Sequence, residues 1–418
     1  VRNPALHRLL ESFTVDAAGR LASDTAAGAE MPFELVEERG GRSPLYCYRP
    51  LTGEFIRSRL DALAALPSYE PLTRALADCE ALDVYLSEHG EVKVPADERG
   101  RCRATAAMFL ECVFIDRSGF GFEPAHFEAA YGDLERALYE GHCTATVVAP
   151  VLGVALDPGT TELVLGDGLS LIRGDALADA PNEAVWGDGE EPNVLAMLAI
   201  DQTLTDRSPV SIARARFRRI LTALRLFERG GYAIGPLAWA RTEAGSWRAV
   251  TLGVSGRPRL LTLVPAAQEE ELRAFCRLVE RRPPGPELGW ALSRFEMGCE
   301  RPVALEALTD HLLALRALLE PEGPASGRLA QRLAVICARP DDRAALAERT
   351  ARAISLERAV ITGVAGAGAG ADGLVGELAE HLRAILRDAL CGHLDPDLCA
   401  VADELLAEAA TAAPATGR

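Results

Sequence analysis

"ALEALTDHLLALRALLE" (residues 304–320) repeats leucine at positions 305, 308, 312, 315 and 319. That 3-4-3-4 spacing puts all five side chains on one face of a 3.6-residue helix, so the stretch is predicted to be a buried bundle helix. Its neighbours have the same pattern. Leu288, Leu292, Phe295 and Cys299 line a helix before it, and Leu329, Leu333 and Ile336 line one after the loop "EPEGPASG" (320–327). "ISLERAVITG" (354–363) closes a further helix at Gly363. Leu374, Leu378, Leu382, Ile385 and Ala389 give the next, and Leu398, Val401 and Leu405 the last. Five or six amphipathic helices with short connections make an all-α bundle, assigned to 288–412. The Pro/Gly break "ERRPPGPELG" (280–289) marks its upstream edge.

Upstream of that break the pattern is mixed. Residues 1–142 are predicted to be mainly helical, with an extended piece in "PLYCYRPLTGEFI" (44–56) and one helix through "EPLTRALADCEALDVYLSEHG" (70–90). From 143 to 287 the period shortens. In "TELVLGDGLSLIRG" (161–174), Leu163 and Leu165 alternate into Gly166-Asp167-Gly168, and Leu169 and Leu171 alternate out, which predicts a hairpin. "NVLAMLAID" reads as a buried strand, with a helix as the alternative for so short an apolar run, and "YAIGPLAWAR", "WRAVTLGV" and "RLLTLVP" add short strands around one helix, "PVSIARARFRRILTALRLFERGG" (209–231). The expectation is an α+β multidomain chain: a mixed α/β N-terminal and middle region followed by an all-α C-terminal bundle.

The net charge of −17 argues against an overall electrostatic grip on nucleic acid or anionic lipid, though a local basic patch is compatible with it. Lys93 is the only lysine, so almost every cation is an arginine. No apolar run reaches the roughly 18 residues of a spanning helix, and no signal-like segment opens the sequence, so the expected location is cytoplasmic. The ten cysteines contain no CxxC and are expected to be reduced thiols. Cys391, His393 and Cys399, with His381 one helix earlier, lack the tight pair of a zinc site, and neither metal nor cofactor is expected.

Three pieces of the region 291–363 together resemble the HEPN-type helical domain found at the C-terminus of ApeA-type bacterial defence proteins. "ALSRFEMGCERPVALEALTDHLLALRALLE" is similar to that family's opening helix pair, "GRLAQRLAVICA" to its next helix, and "ISLERAVITG" falls where it places "Y..RS.ivHG". The resemblance implies an Arg and a His at R-x4-H spacing that hold a phosphate and move protons at a ribose 2′-hydroxyl. Here the Arg position is Glu357 and the His position is Thr362. A carboxylate repels phosphate, and a hydroxyl cannot shuttle protons near neutrality as imidazole does. Arg358 would replace the missing guanidinium only if the helix turned by one residue, about 100°. A family Glu is also reversed, to Arg316, which suggests a swapped ion pair between Arg316 and Glu357. The resemblance thus implies a non-catalytic binding or assembly module, with RNA or a nucleotide as its expected ligand, in a bacterial defence or stress setting, homodimeric through its bundle. The alternatives are a ribonuclease using Arg358, Thr362 and Glu357, or an activity in the α/β region with the bundle as dimerisation module.

Other candidates are weaker. On the helix at 209–229, Arg214, Arg218, Arg225 and Arg229 fall within about 60° of one another, a stripe that would suit RNA or another polyanion. Tyr46, Tyr48 and Arg49 would stack a base, or serve as ordinary strand residues. The Gly-rich run 363–373 follows a helix and precedes no lysine, so it reads as a connector rather than a phosphate loop. Arg2 and His7 form the one literal R-x4-H, outside any bundle context, and His311 in the leucine seam reads as a packed residue.

Overall fold

The computed structural model describes residues 1–418 except 39–44, 80, 90–93, 141, 188–190, 204–208, 243–246, 254–260, 282–283, 364–370, 396 and 413–418. The greater part of the Gly-rich connector and the end of the C-terminal tail therefore lie outside the described residues. The fold is α+β. The chain divides into two compact units: Val1–Pro150 with Thr161–Ala215 and Gly235–Gly253, and Val151–Thr160 with Arg216–Ile234 and Val254–Arg418. The edges expected from sequence, at 142/143 and 287/288, do not coincide with theirs. Local composition marks where the chain bends, whereas a unit forms wherever apolar faces meet, even when the chain leaves and returns.

In the first unit, helices Pro4–Ala26, Tyr69–Ala77, Leu82–Glu88, Glu98–Val113 and Pro124–Glu140 surround one core. Leu10, Phe13, Phe55, Tyr85, Phe109 and Phe127 sit at its centre. The single helix expected over 70–90 is two helices. Asp78 caps the first, and the Cys79 N–H returns to the Leu76 carbonyl. Leu72, Leu76, Leu82 and Leu86 are all buried, so the apolar spacing identified the core residues although the backbone breaks between them. The extended piece expected over 44–56 ends at Pro50. Leu45–Pro50 pairs antiparallel with Phe33–Glu38, and Thr52–Arg57 is a helix that buries Phe55 and Ile56.

A sheet completes this unit. Its strands run, in order of hydrogen-bonded neighbours, Arg248–Thr251, Leu237–Thr242, His142–Leu152, Val194–Thr203, Leu169–Arg173 and Glu162–Gly166. The hairpin formed by the last two is the one read from sequence, with Leu163 opposite Leu171. Its turn carries positive φ at Gly166, Asp167 and Gly168 (122°, 49° and 74°). Gly168 has no alternative: a Cβ there would collide with the Ala199 carbonyl oxygen of the adjoining strand.

The second unit is mostly helical. It holds helices Glu269–Arg281, Pro286–Glu300, Ala304–Leu319, Leu329–Cys337, Arg343–Ile361, Ala371–Cys391 and Leu398–Ala412, with a small parallel pair, Val154–Leu156 and Thr262–Val264. In the helix Ala304–Leu319, Leu308, Leu312, Leu315 and Leu319 are completely buried and Leu305 is half-buried. The middle-region helix Pro209–Phe227 crosses the division between the units at Ala215/Arg216. No described helix is long and apolar enough to cross a membrane.

Candidate functional site

The helix Arg343–Ile361 buries Leu346, Thr350, Ala353 and Glu357, a 4-3-4 seam that ends in a carboxylate. Ala304–Leu319 brings Arg316 to meet it from its last turn. Arg316 donates from Nη1 to Glu357 Oε1 at 3.0 Å and from Nη2 to Oε2 at 2.5 Å, a fork that occupies both carboxylate oxygens. The Glu357 side chain is 4% exposed and that of Arg316 15%. A second buried carboxylate, Glu320, lies 4.0 Å from Arg316 Nε. Glu320 accepts from the Ser326 hydroxyl and from the backbone N–H groups of Arg328 and Leu329, so it caps the helix that starts at Leu329. The position where the resemblance puts a phosphate-binding arginine is thus an acceptor already paired with a guanidinium.

Arg358 and Thr362 face away from this pair. Both are exposed, and the Thr362 hydroxyl donates back to the carbonyls of Arg358 and Ala359 at 2.9 and 3.1 Å. The helix has not rotated by a residue to bring Arg358 inward, because Glu357 holds the inward position. Among the described residues 357–363 there is no histidine, and the arginine of this segment, Arg358, is exposed.

The arginine stripe is corrected by the structure. Arg214, Arg218 and Arg229 are exposed, but Arg225 is buried, with Nη1 on Glu300 at 3.2 Å and Nη2 on the Tyr232 carbonyl at 3.3 Å. From Ile220 to Leu226 every residue is buried, so this half of the helix is enclosed on all sides and has no solvent flank. An amphipathic pattern cannot reveal that, because Arg225 carries its own partners into the interior. Arg214 donates to the Thr251 carbonyl at 2.6 Å, and Arg229, beyond the helix end, pairs with Glu380 at 3.4 Å. The four cations therefore do not form one continuous polyanion surface.

Other buried polar groups explain what the helices recognise in one another. Arg332, 4% exposed, holds Asp403 through two bonds of 2.9 Å, Glu322 at 2.7 Å and the Leu319 carbonyl at 2.8 Å. The Arg332 guanidinium in turn holds the Asp403 and Glu322 carboxyls below their usual range. Its place on the apolar face between Leu329 and Leu333 was the available signal, and the sequence reading missed it. Asp310 is shared by Arg294 at 3.4 Å and Arg301 at 2.9 Å. His311 is buried beside the Phe295 ring, as a packed residue should be. Glu296 bonds to the Thr222 hydroxyl, and burial holds its carboxyl above the ordinary range.

The remaining sequence candidates stay apart from this centre. His7 pairs with Glu128 at 3.0 Å and packs edge-on against Phe127 and Tyr131. Tyr48 is exposed, Arg49 is half-buried, and the side chain of Tyr46 lies outside the described residues. Among the described residues no group of three or more His, Cys, Asp or Glu side chains could hold a metal ion, and the Cys399 thiol donates to the Leu318 carbonyl at 3.4 Å. No protein-family model, no curated protein and no solved structure matches this chain.

Proposed function

We propose that the C-terminal bundle is a HEPN-like module in which a structural ion pair replaces the cleavage chemistry, so that it serves binding and assembly instead of cutting RNA. The observation that carries this reading is the Arg316–Glu357 fork, which fills the functional position with a buried, fully engaged carboxylate. A buried carboxylate held by a guanidinium repels a phosphate where the resemblance would have a cation clamp it. Thr362 supports the same reading, since its hydroxyl is spent on its own helix. The resemblance to bacterial defence proteins supports a role in a defence or stress setting, with the bundle as the assembling part.

The test is incubation of the purified full chain with end-labelled tRNA and total RNA, with and without divalent cations. Intact RNA is the expected result. Cleavage that disappears in Arg358→Ala or Thr362→Ala would overturn the proposal and establish a ribonuclease with non-standard residues.

A further inference from the structure

We propose that the last helix, Leu398–Ala412, is a strap that lifts from the bundle as one body while the other helices stay packed, with the Arg332–Asp403 pair as its latch. The contacts of this helix carry the proposal, independently of the functional reading above.

The strap is held at one end. Among its described residues only Leu398 and Ala402 are buried, and both lie in its opening turns. Val401, Leu405 and Leu406 are half-buried, while Asp403, Glu404 and Glu408 are exposed. The preceding helix, Ala371–Cys391, instead buries side chains along its whole length, from Val375 to Leu390. Local opening falls on elements that bury little apolar surface. The polar contacts of the strap sit at the same end: the Cys399 thiol donates to the Leu318 carbonyl at 3.4 Å, and Asp403 accepts both bonds of the Arg332 fork. Its N-terminal cap is its own, since Asp397 accepts from the Ala400 N–H at 3.0 Å, and that cap moves with the helix.

The charges make the latch reversible. Parting Arg316 from Glu357 leaves a carboxylate that is 4% exposed without its counter-charge. Parting Arg332 from Asp403 strands neither group. The Asp403 side chain is 45% exposed and returns to water. Arg332 keeps Glu322 at 2.7 Å and the Leu319 carbonyl at 2.8 Å, and neither belongs to the strap. Arg328, 3.6 Å from Asp403, is exposed and stays solvated in both positions. One buried guanidinium thus has two carboxylates: Glu322 holds it when the strap is up, and Asp403 joins when the strap is down. Opening uncovers the Arg332 fork and the Leu318 and Leu319 carbonyls, in the same last turn that carries Arg316. The strap therefore controls access to that end of the bundle.

The experiment is hydrogen–deuterium exchange of the full chain read by mass spectrometry, in wild type, Asp403→Asn, Glu322→Gln and Glu408→Gln. Peptides from 398–412 are compared with those from 304–319 and 371–391. The expected wild-type result is uniform exchange through 401–406, about tenfold or more faster than in the other two helices. Asp403→Asn speeds exchange of the strap by about a further tenfold and leaves the other helices unchanged. Glu408→Gln, at an exposed charge on the same helix, changes nothing. Glu322→Gln is the deciding variant. Removing an acid from a merely structural cluster loosens it, but here it takes away the group that holds Arg332 in the open state, so strap exchange slows by about threefold. Strap exchange equal to that of the other helices, or spreading gradually back from Ala412, overturns the inference. So does a strap indifferent to Asp403→Asn, or one that exchanges faster in Glu322→Gln. Digestion of RNA would defeat the function proposed above and leave the strap standing.

Discussion

Arg316 and Glu357, 41 residues apart in sequence, meet as a two-bond fork inside the helical unit and leave neither carboxylate oxygen free. Removing one partner strands the other. Arg316→Ala should destabilise this unit by about 3–5 kcal/mol, because a buried carboxylate loses its counter-charge. The double variant Arg316→Met with Glu357→Leu should regain most of that loss, since an apolar pair of similar volume needs no desolvation. Urea titration followed by circular dichroism reads both. An Arg316→Ala midpoint equal to wild type would mean that the pair contributes no stability.

Glu296 gives a pH test. Its carboxyl is held above the usual range by burial, so the folded state binds a proton more readily than the unfolded chain. Stability linked to this group is therefore present at low pH and falls as pH rises through the folded-state value. Glu296→Gln, which cannot ionise, should be more stable than wild type at pH 7. The difference should shrink toward zero below the ordinary glutamate value of 4.5. Thermal melts from pH 4 to pH 8 check the trend, and a Gln variant that is less stable at pH 7 would contradict it.

Gly298 and His311 are packed too closely for a methyl group to fit between them. A Cβ at Gly298 would run into the buried imidazole. Gly298→Ala should cost about 1–3 kcal/mol as overpacking, although alanine is the better helix former. Adding His311→Ala should recover part of the loss by clearing the space. Equal melting temperatures for wild type and Gly298→Ala would show that the imidazole can move aside.

Polyanion binding should be weak and shallow in its salt dependence. With Arg225 internal, Arg214 tied to the Thr251 carbonyl and Arg229 paired with Glu380, few cations of the 209–229 segment remain for phosphate. Two contacts to single-stranded RNA would give a slope of about −1.4 in log K against log salt. Filter binding with tRNA measures it. A slope of −5 or steeper would locate a basic surface elsewhere on the chain. Arg225→Ala should lower stability without changing the slope.

The resemblance to a nuclease domain directed attention to residues 357, 358 and 362, and their identities alone argued against the chemistry. Geometry supplied the reason Arg358 is exposed: its neighbour Glu357 occupies the inward position, and one residue of helix is about 100° of rotation. The reversed charge at Arg316 was also legible, because two unusual substitutions on helices expected to touch suggest each other. What escaped notice were arginines that go inside. Arg225 looks like a surface residue in a one-dimensional pattern, and Arg332 is betrayed only by its place among leucines, since hydropathy scores a side chain without its partners.

Sequence by itself determined which residues are apolar and at what spacing, and so the helices of the second unit, the hairpin at 162–173 and the leucines of the cores. Those features depend on neighbours within a few positions, where backbone geometry is fixed. Tertiary structure alone decided that Arg216–Ile234 joins the helical unit, that Arg225 lies inside, and that Trp290 and Met297 stay uncovered. Burial depends on how many sides of an element are covered by segments distant in the chain, and a local pattern carries no information about that number.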